Sequence, residues 1–303
     1  MTPLELSQLQ NHLHQTRATW SAQHNFLLEL APDVRRVRLG ALPPEGLQGL
    51  ADREKAAAAA FAAAAPLAAA APALPTAVDW RHHAGHNYVS AVKDQGQCGS
   101  CVAFGTSAAI DARMRIVDAA PIGTPKGHTL QDVSEAQLFF CSAGYGPNHT
   151  CETGWWPAYA YEYAEKVGLA PEACFPYMAH DQPCNLCQNW KNELTVVKSI
   201  VDLKAVQAMK AFLANNGPLS TCMSVYSDFF AYHTGVYRHT AGQLEGGHCI
   251  CCIGYSDTLH AWLCKNSWGP TWGMGGYFWI GYGQCGIDHE MWGVESFTKI
   301  YRT

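Results

Sequence analysis

Seven of the thirteen cysteines fall between positions 98 and 187. Thiols gathered this densely favour a disulfide framework over a scatter of inert core thiols. Cross-links would then tie the loops of that stretch together, and an oxidising compartment is expected. The odd total leaves at least one thiol unpaired within the chain, and a catalytic nucleophile would be such a thiol. The N-terminus points the other way. Residues 1–25 are polar and hold no apolar h-region, so no secretory signal is evident. Export by another route, or a different start site, would reconcile the two, and the compartment stays undetermined.

The 303 residues suffice for one large domain or a medium domain with an appendage. Residues 56–73 (AAAAAFAAAAPLAAAAPA) are low in complexity and broken by Pro66 and Pro72, which reads as a linker. The chain thus divides into an N-terminal segment 1–55, a linker 56–73 and a domain 74–303. In the N-terminal segment, Thr2-Pro3-Leu4-Glu5 predicts a helix start with a capping box. Leu6, Leu9 and Leu13 recur at helical spacing, with Trp20 continuing that face. A short helix is expected from Pro32 to Leu39, stopping at Gly40. Charged residues make up 15% of the chain and the net charge is −5. The densest basic cluster, Arg35, Arg36 and Arg38, reads as a solvated helix face, so no nucleic-acid footprint is expected. No uninterrupted apolar span is long enough to cross a membrane.

Within the domain, Cys101 to about Val117 reads as a helix, and so does Val133 to Phe140, capped by Ser134. From about Leu219 onward short β-like runs dominate: CMSVY, HCICCIGY, AWLCKNSW and GYFWIGYG. A helical half followed by a β half is an α+β arrangement with the halves packed together.

The stretch QGQCGSCVAFG (95–105) carries the chemistry. Cys101 stands where a Gly-rich loop becomes a helix, and the positive end of the helix dipole favours its thiolate. Cys98, still in the loop, lacks that advantage. A thiolate nucleophile needs a proton partner, and histidine suits this near neutral pH. His248 in GGHCICCIGY is the best candidate, because the glycines before it leave room for a ligand. Asn266 in CKNSWG can fix the ring from the next strand of a hairpin, with Trp268 covering that hydrogen bond from water.

These motifs resemble the papain-like cysteine peptidases: DQGQCGSC (94–101), SEAQLFFC (134–141), GGHCICCIGY (246–255), KNSWG (265–269) and GYGQCGI (281–287) occur in the family's order. The resemblance covers roughly residues 74–300. It implies a two-lobed fold, with a helical left lobe, a β-barrel-like right lobe and the active-site cleft between them. It implies Cys101 as nucleophile, His248 as ion-pair partner and general acid/base, and Asn266 as the group that orients the imidazole. Gln95 and the backbone N–H of Cys101 would hold the oxyanion, and peptide bonds would be hydrolysed through an acyl-enzyme with no metal or organic cofactor. By similarity, Cys98 would pair with Cys151, Cys141 with Cys184, and Cys174 with Cys187. A half zinc or redox site at Cys184-Asn-Leu-Cys187 is the rival, disfavoured reading. Cys222, Cys249, Cys251, Cys252, Cys264 and Cys285 are left as buried thiols. Cys285 matches a papain disulfide cysteine whose expected partner position, near Gly242, holds none.

The residue after the nucleophile is Val102 where the family usually has tryptophan. CETGWW (151–156) stands for the family's glycine-rich wall, so Gly154 would add an extended peptide like a β-strand, with Trp155 making the wall more aromatic and Gly247 and Trp268 also expected to bind substrate. GPLSTCMSVYSDFFAYHTGVYRH (217–239) and CGIDHE (285–290) look most like cathepsin B. Glu290 then falls at the base of the second specificity pocket, where it would pair with an arginine two residues upstream of the cleaved bond. The stretch 178–190 is much too short for cathepsin B's occluding loop, which implies an endopeptidase. The N-terminal segment would be an autoinhibitory propeptide, making the protein a monomeric zymogen whose partners are protein or peptide substrates. A docking or targeting role for that segment, a peptide ligase or acyltransferase on the same fold, and an inactive peptide-binding protein remain as alternatives.

Overall fold

The computed structural model describes residues 3–64, 74–124 and 132–301. The capping box expected at Thr2 lies outside them. Helix α1 spans Pro3–Gln15 and buries Leu6, Leu9 and Leu13. It stops where Arg17 takes a left-handed φ of 52° and the Ala18 amide closes on the Leu13 carbonyl. Trp20 therefore does not extend the helix face. It opens strand β1 (Trp20–Ala22), which pairs antiparallel with β5 (Tyr232–Tyr237). There its ring packs on Tyr237 and Tyr232, at centroid distances of 5.0 and 6.2 Å. The strand covers a sheet edge that would otherwise expose unpaired backbone groups. Two short helices follow, α2 (Phe26–Glu29), capped by Asn25, and α3 (Pro32–Arg36).

Two expectations are corrected here. Arg35 and Arg38 are not on a solvated face; both are buried, Arg35 over the Phe230 ring and Arg38 over Phe26 and paired with Asp94 at 2.7 Å. Flat guanidinium groups cover aromatic faces while keeping an ionic partner. And the alanine run does not begin as a linker. Helix α4 spans Leu50–Ala64, because alanine has the highest helix propensity and the first proline comes only at position 66. The remainder of the run, 65–73, lies outside the described residues.

The helical lobe holds α5 (Cys101–Val117), α6 (Glu135–Phe140, capped by Ser134) and α7 (Pro157–Lys166) around Ile110, Met114, Leu138, Phe139 and Tyr161. Disulfides Cys98–Cys151, Cys141–Cys184 and Cys174–Cys187 tie its loops. The β lobe contains β2 (Ala77–Asp79), β3 (Glu193–Leu203), β4 (Leu219–Tyr226), β5, β6 (Leu244–Ser256), β7 (Ala261–Lys265), β8 (Tyr277–Gly281) and β9 (Met291–Tyr301), with α8 (Val206–Asn215) against it. The strands run in the order β1-β5-β8-β7-β6-β4-β9-β3, with β2 on β6. Among these strands the pairings are antiparallel except β5 with β8. Aromatic side chains, among them Phe229, Trp262, Trp272 and Phe278, fill this lobe. The fold is α+β and two-lobed, and the buried N-terminal face of α5 meets β6 across the junction.

Candidate active site

The loop before α5 is held from several sides. Gly96 takes a φ of 61° while its amide bonds Asp94 Oδ1 at 2.8 Å. The Gly99 amide bonds the Cys151 carbonyl at 2.7 Å, beside the Cys98–Cys151 disulfide. Tyr177 donates its hydroxyl to the Gln95 carbonyl at 2.8 Å and meets Ser100 Oγ at 2.7 Å. Ser100 thus makes no side-chain cap, and the first-turn amide of Val102 lowers the Cys101 thiol's pKa slightly. Val102 itself is wholly buried in the core of the helical lobe.

His248 and Asn266 come from neighbouring strands, His248 within β6 and Asn266 just past β7. Nε2 of His248 lies 2.7 Å from Asn266 Oδ1, which also accepts the Ser267 amide at 2.8 Å. Because an amide oxygen only accepts, Nε2 carries the proton and Nδ1 the lone pair. Among the described residues Nδ1 is buried with no hydrogen-bond partner. The fully buried Trp268 covers the ring, with centroids 4.6 Å apart. The amide of Cys249, next after the histidine, points at Cys101 Sγ at 3.4 Å, so β6 and the head of α5 are joined at the site. Gln95 is buried beside them. Its Nε2 donates to the carbonyls of Cys98 (2.7 Å) and Arg38 (3.0 Å), and its Oε1 accepts from Ser267 Oγ at 2.6 Å.

The Arg38 carbonyl reveals what fills the cleft. Residues 38–42 of the N-terminal segment cross between the lobes. The Gly40 carbonyl accepts the Trp155 amide at 2.7 Å, and the Leu42 amide donates to the Trp155 carbonyl at 3.2 Å. On the opposite side the Ala41 amide donates to the Gly247 carbonyl at 3.0 Å. Trp155 and Gly247 therefore hold a peptide in this structure, and it is the chain's own; the expected pairing falls to Trp155, because Gly154 (φ 66°) gives its amide to the Thr150 carbonyl and only lies against Gly40. A Cβ on Gly154 would meet the Gly40 carbonyl oxygen at 2.2 Å, and one on Gly247 would meet that of Ala41 at 2.1 Å. Glycine is required at both by the closeness of the crossing strand.

This covering changes the electrostatics expected from the helix terminus. Burial pushes the Cys101 thiol up to about 12, outweighing the lowering by the amides of Cys249, Gly40 and Val102. Burial likewise pulls His248 down to about 4, against the raising effects of Asn266 and the Arg38 carbonyl. The expected thiolate is thus absent here: thiol and imidazole are both neutral near pH 7. Excluding water costs a charged pair more than the dipole and three amides return.

Glu290 lies elsewhere, buried on the β-lobe side, and makes an ion pair with Arg53 of α4. Lys204 Nζ is 3.9 Å from its other oxygen. Sequence reasoning missed Arg53, Ser267, Tyr177 and the strand 38–42. Gly40, read only as a helix stop, was the one signal for that strand: a Cβ there would lie 1.8 Å from the Gly99 carbonyl oxygen.

Comparison with known proteins follows the same lines. The sequence profile described as "Papain family cysteine protease" matches residues 74–294. The chain is similar to cathepsin B-like CP3 of Giardia intestinalis, with 34% identity over 233 residues, 72% of this chain and 74% of that protein. It is also similar to bovine (Bos taurus) pro-cathepsin H, with 34% identity over 70% of this chain and 62% of the relative. Among solved structures, procathepsin B S9 of Trypanosoma congolense superposes with a TM-score of 0.74 at 22% identity, covering 97% of this chain and 98% of the other. Procathepsin L 3 of Tenebrio molitor gives 0.73 at 24% identity over 96% and 88%. These likenesses extend the shared fold over the N-terminal segment as well as the domain. The chain belongs to the papain family of cysteine proteases.

Proposed function

We propose that the protein is a cysteine endopeptidase made as a zymogen, with Cys101 as nucleophile. The observation that supports this is a helix-leading thiol that receives the amide next to His248 at 3.4 Å, with that imidazole fixed through Nε2 by Asn266 and Nδ1 left as a lone-pair acceptor. Once water and substrate replace residues 38–42, His248 Nδ1 takes the thiol proton and the thiolate attacks the scissile carbonyl carbon. The oxyanion accepts hydrogen bonds from Gln95 Nε2 and the Cys101 amide, the former released from the Arg38 carbonyl. His248 then gives its proton to the departing amine, leaving a thioester. A water, deprotonated by the same imidazole, attacks that thioester, and the acid leaves as Cys101 recovers its proton.

Residues 1–55 act as the propeptide and residues 74–303 as the catalytic domain. The crossing strand supports inhibition, since it occupies Gly154, Trp155, Gly247 and Gln95 at once. It holds the Gly40 amide against the sulfur. Glu290 forms the acidic end of the second specificity pocket. The stretch 178–190 leans on Gly96 through Ala179 and on the Cys151 amide through Asp181, which supports an unobstructed cleft and internal cleavage.

The test is hydrolysis of fluorogenic peptides by the full chain and by Cys101→Ala, under reducing conditions after acid treatment. Arg and Phe are compared two residues before the cleaved bond, with Glu290→Gln alongside. Cleavage lost in Cys101→Ala, with an Arg preference lost in Glu290→Gln, is expected. Cleavage surviving Cys101→Ala, or none by the folded chain, overturns the reading.

A further inference from the structure

After crossing the cleft the N-terminal segment turns into α4, and the helix meets the β lobe with a charged side chain inward. Arg53 and Glu290 are each 7% exposed, and the Arg53 guanidinium lies 4.7 Å from the centre of the Trp156 ring. The helix sits close. A Cβ on Gly286, at φ 68°, would lie 3.2 Å from the Glu54 Cα. Glu54 accepts the Tyr226 hydroxyl at 2.9 Å, and Phe61 packs on Tyr282 at 5.8 Å. A buried carboxylate and a buried guanidinium each depend on the other, since removing either strands a charge away from water. The helix backbone has its own hydrogen bonds, so α4 cannot pair with a cleft wall as an extended peptide does. It offers the pocket a side chain and no scissile bond.

We propose that α4 is a second, separate block of the cleft, in which Arg53 is the resident occupant of the Glu290 pocket. It rests on the reading of Glu290 as a specificity-pocket residue. The strand 38–42 covers the reacting groups; α4 closes the site that selects the substrate. Peptides bearing arginine two residues before the cleaved bond compete with Arg53 for one carboxylate, so they are the substrates most strongly excluded while α4 is seated.

The experiment uses the full chain carrying Cys101→Ala, so that no processing intervenes, and reads amide hydrogen exchange in residues 50–64, with 3–15 as internal reference. Arg53→Met is expected to speed exchange in α4 by at least about tenfold, with Glu290→Gln speeding it from the protease side. The exchanged pair Arg53→Glu with Glu290→Arg is expected to slow it again. Acetyl-arginyl-phenylalanine amide, added to the Cys101→Ala chain with Arg53 and Glu290 intact, is expected to speed exchange in 50–64 and not in 3–15. Unchanged exchange in both single variants, or no recovery in the exchanged pair, overturns the proposal. The readout needs no catalysis. Fast exchange in Arg53→Met with a silent peptide assay would sink the peptidase reading alone; unchanged exchange with active hydrolysis would sink the α4 block alone.

Discussion

Acidification should unseat the strand that crosses the cleft, and the imidazole of His248 sets the size of the effect. In the covered site burial holds that ring down to about 4; exposed to water it would return to about 6.5. Between those values the covered form binds fewer protons than the open one. Its stability is therefore full above about pH 6.5 and is lost as the pH falls toward about 4. Going from about pH 7.5 to about pH 4.5 shifts the balance by roughly 2.5 kcal/mol, or on the order of 70-fold toward the open form. Cys101, pushed up to about 12 by burial, acts at the other end, since its contribution is lost as the pH rises from its ordinary value. The carboxyl of Glu290, raised by burial against the lowering by Arg53, works against opening in acid, so the histidine must be isolated by difference. The assay is amide hydrogen exchange over residues 38–42, corrected for intrinsic rates, in Cys101→Ala and in Cys101→Ala/His248→Asn. The first should open more steeply with acid than the second by that factor. Equal pH slopes in the two would refute the reasoning.

Other substitutions test separate contacts. Gly40→Val puts a side chain where the Gly99 carbonyl lies 1.8 Å from a Cβ position; the full chain should then react with a thiol-directed covalent probe much faster than the parent. Asn266→Ala frees the imidazole from its 2.7 Å anchor and should lower kcat on the order of 10²-fold with little change in KM, by the cost of misplacing a reacting group. Leu9→Ala removes a buried contact of α1 with the β-lobe core and should weaken seating of the N-terminal segment by about 2–5 kcal/mol, read as earlier loss of α1 protection in urea. Replacing Cys98 and Cys151 by serine opens a loop closed over 53 residues and should lower unfolding stability by about 4 kcal/mol, seen as a lower urea midpoint.

What the sequence could reveal depended on how far each contact reaches along the chain. The start of α5 was legible because a loop of glycines, a cysteine and an apolar helix follow one another directly. The strands of β6 and β7 were legible as short β-like runs, and their pairing brings His248 and Asn266 within 2.7 Å. The three cysteine pairs came only from resemblance; spacing alone leaves many connectivities open. Arg38 and Arg53 were illegible for a different reason. A basic residue taken with its sequence neighbours alone reads as solvated, and only a partner 56 or 237 positions away turns it inward, Asp94 for one and Glu290 for the other. The alanine run misled because low complexity suits a linker, whereas the propensity of alanine suits a helix, and the β lobe supplies the surface that decides. The thiolate expectation failed by the same kind of distance. A helix dipole is local and can be read from sequence, but the strand that displaces water from Cys101 comes from sixty residues upstream. A site read from its own motifs is thus read in its open state. The chain that closes it can suppress the chemistry without altering a catalytic residue, because it need only remove the solvent that a charged sulfur and a charged ring require.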